Sequence, residues 1–227
     1  MKIRSLVGLA AAFALALSEA VAQTVVSDFD SGLDGWLPYT AGRHDSTVAV
    51  SWDATGGLSG SGALVLNDPG SGADDYFTAP TKFLGNKSAY YGGTLSFDLK
   101  LTIPAGGLEA DNVVLTGNGL SIAFAVSPYP NTSAFTSYPI SLVETSGWYL
   151  VGTTTAPTSV QMQQLLGNLT EFRIMGDWGL GAEAERLDNV RLSAVPEPNT
   201  LALFASGAIV LAAGQYLRRR RAVAENR

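Results

Sequence analysis

Three features predict an all-β domain of two packed antiparallel sheets between residues 23 and 194. Apolar and polar side chains alternate over short runs, turn-forming strings separate the runs, and eleven such runs are too many for one open sheet. Glycine supplies 22 of the residues in this stretch, roughly twice its average usage, and clusters where turns are needed.

In chain order, strands are expected at Val25 to Phe29, Val48 to Trp52, Ala63 to Leu66 and Tyr76 to Thr78. The strings Thr55-Gly56-Gly57, Ser59-Gly60-Ser61-Gly62 and Asp68-Pro69-Gly70-Ser71-Gly72 divide them. Thr94 to Leu101 places an apolar side chain at every second position, as a strand with one face in a core requires, and Leu120 to Val126 repeats the pattern. Val113 to Leu115, Ser137 to Leu142, Trp148 to Val151, Phe172 to Met175 and Leu187 to Leu192 complete the set. Ser159 to Leu169 breaks the alternation. Its apolar residues fall at helical spacing, with a Ser or Thr cap before them and Gly167 near the end, which predicts one short helix crossing between strands.

The 227 residues include one His and no Cys, so disulfide scaffolds, thiolate metal sites and cysteine nucleophiles are excluded. Seven of the 14 basic residues lie in the terminal segments, leaving seven against 17 acids between residues 23 and 195. That surface repels phosphate backbones, so nucleic acid is not an expected partner.

Both ends read as addresses. Residues 1–22 carry Lys2 and Arg4, an apolar run of 12 residues from Leu6 to Leu17, and Ala20-Val21-Ala22, which predicts a secretory signal peptide cut by signal peptidase between Ala22 and Gln23. A 12-residue helix reaches only ~18 Å against a hydrocarbon core of ~30 Å, too short for an anchor. Residues 195–227 hold Val195-Pro196-Glu197-Pro198, an apolar run over 201–217 and the cluster Arg218, Arg219, Arg220 and Arg221. The 17-residue run is at the lower limit of a transmembrane helix, and the four arginines place the C-terminus in the cytoplasm and the domain outside it.

The order Pro-Glu-Pro, short apolar helix and terminal arginines resembles the PEP-CTERM sorting signal of Gram-negative bacteria. The resemblance implies recognition and cleavage near Pro196, Glu197 and Pro198 by an exosortase, brief residence in the inner membrane, and release to the cell surface or a biofilm matrix. A second resemblance covers most of the middle. Asp28-Phe29-Asp30-Ser31-Gly32-Leu33-Asp34-Gly35-Trp36, then Tyr76-Phe77-Thr78-Ala79-Pro80 with Lys82-Phe83-Leu84-Gly85-Asn86, then Tyr91-Gly92-Gly93-Thr94-Leu95-Ser96-Phe97-Asp98, and finally Leu187-Asp188-Asn189-Val190-Arg191-Leu192 are similar to the laminin B domain, also called laminin domain IV. That family implies a jelly-roll β-sandwich of the galactose-binding-like kind, related to carbohydrate-binding modules. The flanking cysteine-rich modules of animal laminins are missing, so a role in basement membranes does not carry over.

Candidate ligand groups are few. Asp28, Asp30 and Asp34 near the first strand, with Asp188 and Asn189 in the last, offer oxygens to a structural calcium ion if the first and last strands pair; edge blunting and backbone capping are the alternative roles. Trp36, Trp52, Trp148 and Trp178 are flat surfaces for sugar stacking. Core positions are expected for the first three, and Trp178, in Gly176-Asp177-Trp178-Gly179, is expected to be the exposed one. No pair of carboxylates is singled out for glycoside hydrolysis, and Asp74-Asp75, Asp177, Glu183 and Glu185 read as solvated loop charges. His44 lacks a serine elbow and reads as a surface residue, so no catalytic residue is assigned.

The expected function is therefore that of an exported, non-enzymatic structural or adhesive protein, sorted by exosortase to the surface or matrix. Its expected partners are other matrix proteins or extracellular polysaccharide. A carbohydrate-binding module is the alternative, and a glycoside-active enzyme the third reading.

Overall fold

The computed structural model describes residues 23–40, 48–70, 74–106, 111–179 and 181–195. The signal peptide, the Pro-Glu-Pro motif, the apolar run, the arginine cluster and His44 lie outside them. Gln23 to Val195 forms one compact unit.

Among the described residues twelve strands build two sheets: β1 (Thr24–Ser27), β2 (Leu37–Thr40), β3 (Ala49–Asp53), β4 (Ala63–Asp68), β5 (Asp75–Thr78), β6 (Thr94–Lys100), β7 (Val113–Gly117), β8 (Leu120–Phe124), β9 (Thr136–Ser141), β10 (Tyr149–Leu150), β11 (Leu169–Met175) and β12 (Glu183–Ser193). All eleven expected strands are present, and β2 is an addition. The first sheet runs β3-β4-β12-β6-β9, with β1 also paired to β12. The second runs β10-β8-β7-β11-β5-β2. Every pairing is antiparallel. The helix α1 (Ser159–Gly167) is held at its start by a capping box between Thr158 and Gln161, and it buries Met162, Leu165 and Leu166.

The first and last strands do pair. The early part of β12, Glu183 to Leu187, lies against β4, and its late part, Val190 to Ser193, against β1. Where β12 changes neighbour its pairing with β6 slips between Asp188 and Arg191, and Asn189 takes a left-handed φ of 52°.

Between the sheets, alternate residues make one core. Trp36, 1% exposed, stands edge-on to Phe29, Phe83 and Phe172 at 6.0, 5.6 and 5.7 Å. Ring edges against ring faces suit the aromatic quadrupole, so these contacts add to the burial of apolar area. Trp148 is likewise buried, its indole N–H donating to the Ser141 carbonyl at 2.9 Å.

Candidate functional site

The outer face of the second sheet is a candidate site. One rung crosses all six strands as Leu37, Thr78, Arg173, Val114, Ala123 and Tyr149. Two residues along, on the same face, Tyr39, Tyr76 and Met175 form the next rung. The intervening residues Phe77, Ile174 and Val113 point the other way and are fully buried in the core.

This face is recessed. Tyr76, Met175, Val114 and Ala123 are buried although they point away from the first sheet. A cavity of about 470 Å³ opens there, lined by Tyr76 and Tyr149 with Asp74, Asp111, Thr153 and Thr154. The Arg173 guanidinium lies 4.3 Å from the Tyr39 ring centre and 5.0 Å from that of Tyr76, and its Nε is 3.3 Å from Glu171. Tyr149 donates its hydroxyl to Asp111 at 2.8 Å. Burial, reinforced by the Asp111 carboxylate, holds that phenol above its ordinary range, so it stays protonated. The cleft offers the rings of Tyr76 and Tyr149 and the carboxylates of Asp74 and Asp111, with the Arg173 cation stacked on Tyr76 beside it, groups that suit a polyhydroxylated ligand, whose C–H faces stack while its hydroxyls donate. None of these residues was singled out from sequence as a binding group; the rungs emerge only once the register is known.

Asp28, Asp30 and Asp188 do not gather into a three-carboxylate cluster among the described residues. Asp28 and Asp30 sit on the exposed turn after β1, where the Asp28 carboxylate accepts from the Asp30 N–H at 3.4 Å. Asp188 is fully buried, and its carboxylate accepts from Leu58 N–H at 2.8 Å, Ser61 hydroxyl at 2.9 Å and Asn189 N–H at 2.6 Å. These donors partly offset the burial that raises its pKa. Asp34 accepts from Ser27 and pairs with Lys82, and Asn189 donates to Asp98 at 2.9 Å. The motif acids therefore serve as backbone and side-chain acceptors, the alternative role read from sequence.

The tryptophan assignment needs correcting in two places. Trp178 is 4% exposed, because its indole N–H donates to the Met175 carbonyl at 3.1 Å and Tyr129 packs against its ring at 5.7 Å. Trp52 is the exposed one at 41%, its indole N–H tied to the Phe29 carbonyl at 2.7 Å. The loop-charge reading also fails for Asp75, Glu183 and Glu185, which are buried between the sheets.

Comparison with known proteins follows the same lines. Residues 76–205 match the family model described as Laminin B (Domain IV), and residues 194–221 match the PEP-CTERM protein-sorting motif. Laminin subunit gamma-1 of Danio rerio is 34% identical over 173 residues, covering 74% of this chain and 10% of that protein. The chain thus spans about a tenth of the length of that relative. Among solved structures, the L4b domain of human laminin alpha-2 superposes with a TM-score of 0.61 at 14% identity, covering 78% of this chain and 98% of that one. The family 11 carbohydrate-binding module of the cellulosomal cellulase Lic26A-Cel5E of Clostridium thermocellum gives 0.50 at 17% identity, over 79% and 98%. Both share the fold.

Proposed function

Because the chain belongs to the laminin B (domain IV) family and carries a PEP-CTERM protein-sorting motif, we propose that it is an exported, non-enzymatic component of a bacterial surface or matrix, delivered by exosortase. The joining of these two modules in one chain is the observation that carries the reading. Signal peptidase frees residue 23, the run 201–217 holds the domain outside the inner membrane, and processing near Pro196, Glu197 and Pro198 releases it. Deleting Pro196 to Pro198 should leave uncleaved protein in the inner-membrane fraction of the native host. A deleted protein that still reaches the surface or medium contradicts sorting by this motif.

A second reading, in which the domain adheres by binding extracellular polysaccharide, is favoured by the recessed tyrosine face of the second sheet. Tyr39 is its accessible edge, 36% exposed and stacked on Arg173. Tyr39→Ala should weaken retention on the host's own exopolysaccharide about tenfold, the effect of losing one stacking contact, while the lost contact with Arg173 lowers the unfolding midpoint by only a few degrees. Equal retention of both proteins, or none of either, leaves the structural role alone.

A further inference from the structure

We propose that Asp68, Asp177 and Glu183 form a binding site for a divalent, oxygen-seeking cation of calcium's size, at the end of the sandwich where β4 runs out and β12 begins. One carboxylate oxygen from each lies within 4.8 Å of the other two. A calcium sphere with ligands at 2.3 to 2.6 Å is roughly 5 Å across, whereas magnesium's is nearer 4 Å. The three come from separate places: Asp68 and Glu183 are cross-strand partners, and Asp177 sits in the loop after β11.

A cluster of acids is not in itself a site; the buried carboxylate of Glu185 beside this one calls for a cation. Glu185 lies two residues beyond Glu183 on the same inward face of β12, is 0% exposed, and neither of its carboxylate oxygens has a hydrogen-bond partner. Glu183 Oε2 is also buried and without a partner, while its Oε1 accepts from the N–H groups of Trp178 and Gly179. Those two donors orient the Glu183 carboxylate and leave its other oxygen open to a ligand. The charges acting on Asp177 are those of Glu183, Asp68 and Asp75, all of one sign. A buried carboxylate without donors is costly unless a cation or a proton neutralises it. Gly179 keeps the approach clear: a Cβ there would stand 2.6 Å from Glu183 Oε2 and 2.4 Å from Ile103 Cδ1.

The test uses the full-length chain in detergent, stripped with chelator and titrated with calcium at pH 7.5. The unfolding midpoint should rise by about 5 to 10 °C at a calcium concentration ~100 times Kd. Asp177→Asn with Glu183→Gln should abolish that shift. Terbium provides a readout that needs no mutated acid, since the Trp178 backbone contacts Glu183 and its indole can sensitise emission. Calcium should quench that emission, and Trp178→Phe should remove it while leaving the calcium shift. No midpoint change, or a shift that survives the double substitution, would overturn the proposal. A shift lost instead on Asp28→Asn would place the ion at the other end of the chain.

Discussion

Asp188 is the residue on which the closing motif turns. Its carboxylate satisfies the backbone of the 57–61 turn from the strand that passes beneath it, through Leu58 N–H and Ser61 hydroxyl. The site has no slack: a Cβ at Gly57 would meet Asp188 Oδ2 at 2.7 Å, and one at Gly62 would meet the Phe29 carbonyl at 2.0 Å. Replacing Asp188 with Ala removes a buried acceptor of three hydrogen bonds and should cost about 3 kcal/mol, seen as a lower urea midpoint with an unchanged slope. Asp28→Ala, on the exposed turn, should fall within about 0.5 kcal/mol of the parent. The two motif acids look alike in sequence, and only burial tells them apart. The aspartates were legible there as polar groups near a strand pairing. Their donors were not, because Leu58 and Ser61 stand 130 and 127 residues away along the chain. Trp178 misled for a related reason: its glycine neighbours signal a turn, but that turn folds back over the end of the core.

At the scale of elements, alternation identified every strand whose two faces see different surroundings. β2 escaped because Leu37-Pro38-Tyr39-Thr40 is short, contains proline, and exposes its first three residues. A proline cannot donate to a ladder, so it reads as loop, yet β2 is the outer strand of the second sheet, where one side needs no donors. Pro139 occupies the same kind of place in β9, at the edge of the first sheet. The helix was legible from its cap. Thr158 accepts from Gln161 N–H at 3.2 Å, and the Gln161 side chain returns the bond to Thr158 N–H at 2.8 Å. Because α1 has only nine residues, it depends on that cap and on Met162, Leu165 and Leu166. Thr158→Ala should therefore cost about 1 kcal/mol and should first raise amide exchange in residues 159–162, ahead of the sheets.

Across the whole molecule the two sheets differ in what they enclose. Most of the interior is apolar, but at one end β4, β5 and β12 turn Asp68, Asp75, Glu183 and Glu185 inward, and Asp177 joins them from the β11–β12 loop. In sequence these are five unremarkable acids among 17 in the middle of the chain. Their convergence depends on the β4–β12 register, which pairs Glu183 with Asp68 and Glu185 with Leu66, and no local pattern encodes it. The consequence is a definite pH dependence. Asp177, raised to about 8, and Glu185, raised to about 10, hold protons in the folded state that an unfolded carboxyl gives up near pH 4. Raised folded pKa values mean that the stability linked to these groups is complete below about pH 4. It is lost progressively as pH climbs toward those raised values, by about 1.4 kcal/mol per pH unit for the buried Glu185 proton and by less for that of the half-buried, partly solvent-screened Asp177. In chelator, the urea midpoint should fall steadily from pH 5.5 to pH 8.5, the reverse of a protein whose carboxylates are salt-bridged. Glu185→Gln keeps the shape without the titrating proton and should flatten that slope. A midpoint that rises with pH over this window, or a slope untouched by Glu185→Gln, would mean that the buried acids are ionised and paired in the folded protein.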